Sequence, residues 1–175
     1  METLHKLTKN EEIEKLVELL GSKKGVDRMQ AREKLVDFGE ESADFLIELL
    51  HHPDHDYRKE VLKTLEEIGS PDFISIYLQA LEDEESDIRW IGARGLIKLG
   101  KISVKPLLEF LVEKSDSVFV LAGAHHVFYD LKKEKILPEN FPVNKLLQKL
   151  KRPEWKDGIK YLAHDLLADK DQSRY

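Results

Sequence analysis

The residues best placed to do chemistry are histidines and carboxylates, and they cluster in two places. The denser cluster is His51-His52-Pro53-Asp54-His55-Asp56. Imidazole and carboxylate together suit a divalent cation, and His51 could meet His55 across a turn. The spacing fits no defined metal motif, however, and Pro53 marks a turn, where Asp and His collect for conformational reasons. The second cluster, His125-His126, falls inside a helical pattern. Neighbours on a helix point about 100° apart, so the pair does not readily serve one ion. Both are read as hydrogen-bonded or partly exposed histidines. His126, if buried beside a carboxylate, would be a pH-sensitive contact. The absence of cysteine excludes disulfides, thiolate catalysis and Cys-type metal sites. No phosphate-binding glycine loop, GxSxG elbow or HExxH pair occurs. No catalytic residue, metal or cofactor is therefore expected.

The elements that carry these residues recur. KLVELL (15–20) returns as FLIELL (45–50), IYLQAL (76–81), PLLEFL (106–111) and KLLQKL (145–150). A second string precedes each later copy: DRMQAREKLVDFG (27–39), DYRKEVLKTLEEIG (56–69) and DIRWIGARGLIKLG (87–100). Weaker copies are SDSVFVLAGAHHVFYDL (115–131) and PEWKDGIKYLAHDLL (153–167). Val61, Leu62, Leu65 and Ile68 form one stripe of a 3.6-residue period, as do Ala93, Leu96 and Leu99. The Asp residues suit helix caps or first turns, and Gly39, Gly69 and Gly100 suit the left-handed position after a helix. Ser70-Pro71 then restarts a helix with proline in its first turn. Each unit reads as helix, tight turn, helix, and buries its apolar face only by stacking on its neighbours.

A period near 30 residues, with Asp beside Arg, a central Ala or Gly, and a closing Leu-Gly or Ile-Gly, resembles the short HEAT-like repeat of the phycobilisome-lyase type. The resemblance covers roughly residues 10–167. It implies an all-α, right-handed α-α superhelix, armadillo-like, of four to five helix-turn-helix repeats in a single domain, 1–175. The expected parts are an N-terminal capping helix (10–20), repeats at about 26–50, 55–81, 86–113 and 116–150, a C-terminal capping helix (153–168) and a tail (169–175). The chain departs from the pattern twice. The Arg column (Arg28, Arg58, Arg89) becomes Val120 and Trp155, and residues 131–144 form an insertion. That insertion reads as a surface loop, because Pro138 and Pro142 oppose helix.

Within the second helices one column stays polar: Glu18, Glu48, Gln79, Glu109 and Gln148. One turn earlier stand Glu14, Asp44, Ser75, Lys105 and Asn144. The resemblance implies that these helices line a concave surface, so the column becomes a largely acidic ridge for a partner. The Arg column is read as structural, tying adjacent units by bidentate hydrogen bonds. Trp90 and Trp155, at helix starts, are read as packing residues.

Composition and charge narrow the function. The 175 residues carry 28 basic and 34 acidic side chains, for a net charge of −6. Apolar residues make up 41%, too many for a disordered chain. Residues 132–160 hold nine basic and four acidic side chains, and residues 1–131 carry the acidic excess. No run of about 18 apolar residues would span a membrane, and the N-terminus lacks an apolar signal core, so a cytoplasmic protein is expected. Deoxyhypusine hydroxylase, a HEAT-like di-iron enzyme, uses His-Glu dipeptides, and no His here precedes Glu. HEAT-like DNA alkylation glycosylases use a basic groove, whereas the acidic column would repel phosphate. The expected function is a non-catalytic scaffold or adaptor that binds another protein, with nucleic acid disfavoured. The alternatives are a phycobilin-lyase-like chromophore-binding protein or a HEAT-like glycosylase.

Overall fold

Ten α-helices and four short 3-10 turns organise the described residues, which contain no strand. The computed structural model describes residues 2–152, 154 and 156–168, with the side chains of 2–7 and 156 left out. Trp155 and the 169–175 tail lie outside the described residues. The chain divides into two compact units, Met1–Ser70 and Pro71–Tyr175.

The first unit holds α1 (Glu2–Leu19), α2 (Gly25–Phe38), α3 (Ala43–Ile47) and α4 (His55–Ile68). Helix α1 starts at Glu2 rather than near residue 10, as no Gly or Pro interrupts the sequence before Leu19. Helix α3 is only five residues long, because 3-10 turns at Gly39–Ser42 and Glu48–His51 tighten both its ends. Ile13 and Leu16 of α1, Leu20 just beyond it, Ala31 and Leu35 of α2, Leu46 of α3, and Val61, Leu62 and Leu65 of α4 form the core. Two acids of α4, Glu60 and Glu66, are buried there. Glu60 is 5% exposed and accepts hydrogen bonds from Arg32 at 2.7 Å and Lys63 at 3.0 Å. Arg32 also donates to Glu67 at 2.7 Å, so one guanidinium joins α2 to two turns of α4.

The second unit holds α5 (Ile74–Ala80), α6 (Ser86–Leu99), α7 (Val104–Glu113), α8 (Val118–Lys133), α9 (Val143–Leu150) and α10 (Lys156–Ala168). Helix α6 packs on α5 and α8, and α9 packs on α8. The fully buried Tyr77 ring of α5 requires the glycines of α6. A Cβ at Gly95 would stand 2.7 Å from that ring, and one at Gly92 only 2.8 Å from the Tyr77 carbonyl oxygen. Of the expected 131–144 surface loop, residues 131–133 extend α8 and 143–144 begin α9, and the non-helical stretch between them is anchored inward. Phe141 is buried and stacks on Phe128 with centroids 6.0 Å apart. The main lateral neighbour of α7 is then α10 rather than α9.

The Arg column is structural, but its hydrogen bonds go to backbone carbonyls; Arg28 also approaches an acid of the next repeat, its Nε 3.8 Å from Glu60 of α4. Arg28 Nη1 donates to the Ser22 carbonyl at 2.7 Å, Arg58 Nη1 to that of His52 at 2.9 Å, and Arg89 Nη1 to that of Asp83 at 2.7 Å. Each reaches six residues back and fastens the turn that leads into its own helix. Arg58 and Arg89 add a second carbonyl, Pro53 at 3.3 Å and Glu84 at 2.8 Å. The Asp residues of the column do other work. Asp56 pairs with Lys59 at 2.7 Å, and Asp27 accepts from Ser22 Oγ at 3.0 Å. Gly39, Gly69 and Gly100 all take positive φ (59°, 73°, 64°) after their helices, but only Gly69 adopts the expected left-handed conformation; Gly39 and Gly100, with ψ of −134° and −130°, lead instead into 3-10 turns. Two of these turns share a device that the sequence reading overlooked. Ser42 Oγ donates to the Gly39 carbonyl, and Ser103 Oγ to that of Gly100, both at 2.8 Å.

Candidate partner-binding groove

A groove of about 880 Å³ opens in the first unit between α1, α3 and the start of α4. Its walls follow from helical spacing. Glu14 and Glu18 stand one turn apart on α1, and Asp44 and Glu48 one turn apart on the facing segment, so each pair shares a face. All four are exposed. Val17, Phe45 and Leu49 give an apolar floor. Glu41 adds a fifth carboxylate, and Lys9, the one lining cation among the described residues, forms an ion pair with it. The Lys9 ammonium also sits 5.4 Å from the Phe38 ring centroid.

Tyr57 closes one end. Its hydroxyl donates to the Val17 carbonyl at 2.7 Å, which ties α4 to the last turn of α1. The His52 ring meets it edge-on at 4.8 Å. Burial, and secondarily the Glu18 charge, hold the phenol above its ordinary pKa, so it remains a neutral donor.

Of the predicted ridge, the structure brings Glu18 and Glu48 together with Glu14 and Asp44. Gln79, Glu109 and Gln148 are exposed on α5, α7 and α9 of the second unit. Because α10 lies along α7, Gln148 does not follow Glu109 on an adjoining helix, as an unbroken ridge would require. Lys9, Glu41 and Tyr57 were not anticipated in the groove. The missing signal for Lys9 was the length of α1. For Tyr57 it was an aromatic residue placed beside the turn-fastening Arg58.

The histidine clusters resolve differently. His52 Nδ1 accepts the Asp54 backbone N–H at 3.1 Å, and Asp54 caps α4 by accepting from Tyr57 N at 3.1 Å. His126 Nε2 lies 3.5 Å from Asp130 and its ring stacks on Trp90, with centroids 4.4 Å apart. Trp90 therefore does pack on an adjacent helix, yet it remains 52% exposed. His125 has a buried Nε2 without a hydrogen-bond partner. Burial, then the charges of Lys151 and His126, push its pKa down.

Residues 43–125 match the family model for HEAT repeats. This stretch of the chain is built of HEAT-like repeats. The matched stretch includes Asp44 and Glu48 of the groove and helices α4, α5, α6 and α7, where the turn-fastening arginines are most regular. HEAT-like repeats commonly mediate contacts between proteins. No curated protein matches the chain. Among its described residues no helix is long and apolar enough to cross a membrane.

Proposed function

We propose that this HEAT-like protein is a non-catalytic adaptor that holds a basic segment of another protein in the groove of its first unit. One observation carries the reading: Glu14, Glu18, Asp44 and Glu48 converge around an apolar floor. An extended or helical segment with Lys or Arg beside an apolar residue would pair its charges with the walls and bury its apolar group on Phe45 and Leu49. Charge supports the same choice. Residues 1–70 carry 17 acidic and 11 basic side chains, whereas residues 71–175 carry 17 of each. The net charge of the whole chain thus resides with the groove, which favours fast capture of a cation.

The test uses a fluorescent peptide with alternating Lys and Leu, titrated against the wild type and two double variants. Glu18→Lys/Glu48→Lys places the change inside the groove. Glu11→Lys/Glu12→Lys makes the same change in total charge on exposed positions that do not line it. The reading requires the groove variant to weaken binding at least about tenfold, the scale of setting like charges against the peptide's cations, and the control to weaken it much less. Equal losses would reduce the effect to bulk charge and overturn the groove.

A further inference from the structure

A second site lies in the other unit. A cleft of about 260 Å³ opens between the N-terminal halves of α6 and α8, floored by Ala93 and Gly123. Two stacked pairs line it. On one side Trp90 lies on His126, with ring planes 29° apart. On the other, the Arg89 guanidinium sits 4.2 Å above the Phe119 ring. Phe119 is 42% exposed and Trp90 more so, an unusual amount of aromatic surface to leave in water. Both rings are held in place. Phe119 is pinned by Arg89, which is itself fastened to the Asp83 and Glu84 carbonyls, and His126 is fixed against Asp130. Among the described residues nothing accepts the Trp90 indole N–H.

The surroundings restrict what fits. The turn fastened by Arg89 carries the exposed Glu84, and the turn before α8 carries the exposed Asp116. Arg89, which lines the cleft, is engaged by the Asp83 and Glu84 carbonyls and the Phe119 face, and Lys114, the lysine of these turns, by Glu82 at 2.8 Å. A phosphate-bearing ligand would therefore compete for a committed guanidinium beside two exposed carboxylates of the adjoining turns. A helical ligand presents no free carbonyl along its middle to the indole N–H, whereas a polyproline II segment is studded with them. Fixed aromatic walls, one unclaimed indole donor and an acidic rim together match a short proline-rich segment.

We propose that the α6–α8 cleft docks a proline-rich polyproline II peptide that carries one basic residue, its prolines between Trp90 and Phe119 and its cation over Glu84 and Asp116. This site is independent of the groove in the first unit.

The test is made in a Trp155→Phe background, which leaves Trp90 as the one tryptophan, with Glu18→Lys/Glu48→Lys also present so that the groove does not take up the basic peptide. The probe is a synthetic decapeptide of prolines with one terminal arginine. A saturable change in Trp90 emission is expected. Replacing the prolines by alanine should weaken binding at least about tenfold, through loss of the preformed conformation. Glu84→Lys/Asp116→Lys should weaken the arginine peptide and spare a version with glutamate in its place. Trp90→Phe, read by calorimetry, keeps a ring in the cleft, removes the N–H, and should weaken binding severalfold. Phe119→Ala should do the same, with circular dichroism checking that the helices remain. No saturation up to about 1 mM peptide, the weakest affinity that would still be specific, overturns the proposal. So does an alanine peptide that binds as well as the proline one, which would make the cleft a helix-docking site.

Discussion

Tyr57 shows how one atom couples the groove to the fold. Its hydroxyl bridges α4 and α1, and its ring closes the groove. Tyr57→Phe should cost about 1 kcal/mol, the net worth of one hydrogen bond, measured by denaturant unfolding at neutral pH. Because the folded phenol titrates above its ordinary value of 10.0, its contribution is intact below that pH and is lost as pH rises through the elevated value. An alkaline absorbance titration of Tyr57→Phe should therefore lose a tyrosine that titrates above the ordinary value. His125 has the opposite sign dependence. Its folded pKa lies below 6.5, so stability is full above that value and falls as acid protonates the unfolded form first. His125→Gln should flatten the acid limb of a plot of Tm against pH; an unchanged limb would assign acid sensitivity to other groups. The glycines divide by what a methyl group would strike. Gly95→Ala pushes into the fully buried Tyr77 ring at 2.7 Å and should cost about 1–3 kcal/mol, as overpacking does. Gly123→Ala meets only the Cδ2 end of Leu81 and should cost distinctly less in the same melting experiment.

At the scale of the element, the recurring unit is a helix whose arginine fastens the turn that precedes it. Arg58→Met keeps the aliphatic stem and removes the bonds to the His52 and Pro53 carbonyls. It should lower stability by about 1–3 kcal/mol, and hydrogen exchange should quicken first at residues 52–57. Exchange that quickens uniformly would argue against a local clamp. Much of this level was legible in the sequence. Gly39, Gly69 and Gly100 end their helices with positive φ, and the stripes Val61-Leu62-Leu65 and Ala93-Leu96 are buried. What the arginines bind was not legible, because carbonyl acceptors leave no trace in residue type; the adjacent Asp looked like the partner. The path after α8 was hidden for a related reason. Pro138 and Pro142 announce a loop, but the burial of Phe141 against Phe128 depends on a cavity that several helices build together. Glu18 and Glu48 were identifiable from their repeat position. Lys9 and Tyr57 were not, since they reach the groove by three-dimensional proximity rather than by repeat register.

For the molecule as a whole, electrostatics dominate. An acidic groove in an acidic first unit predicts that capture of a cationic peptide slows as salt rises. Exposed charges are screened beyond about 10 Å at 0.1 M. Between about 50 and 500 mM salt, stopped-flow association should fall about tenfold or more, with dissociation changing less. An association rate indifferent to salt would mean that the apolar floor, Val17, Phe45 and Leu49, governs recognition.

The arginine fasteners also bear on how the chain acquires its structure. Each closes a loop of six residues, and Arg32 reaches only 28 and 35 residues along the chain. Contacts between residues so near in sequence cost little loop-closure entropy, and chains dominated by them fold in microseconds to milliseconds. A polypeptide emerging from the ribosome at about 5–20 residues per second would thus complete each turn, clamp included, long before the next repeat had been synthesised.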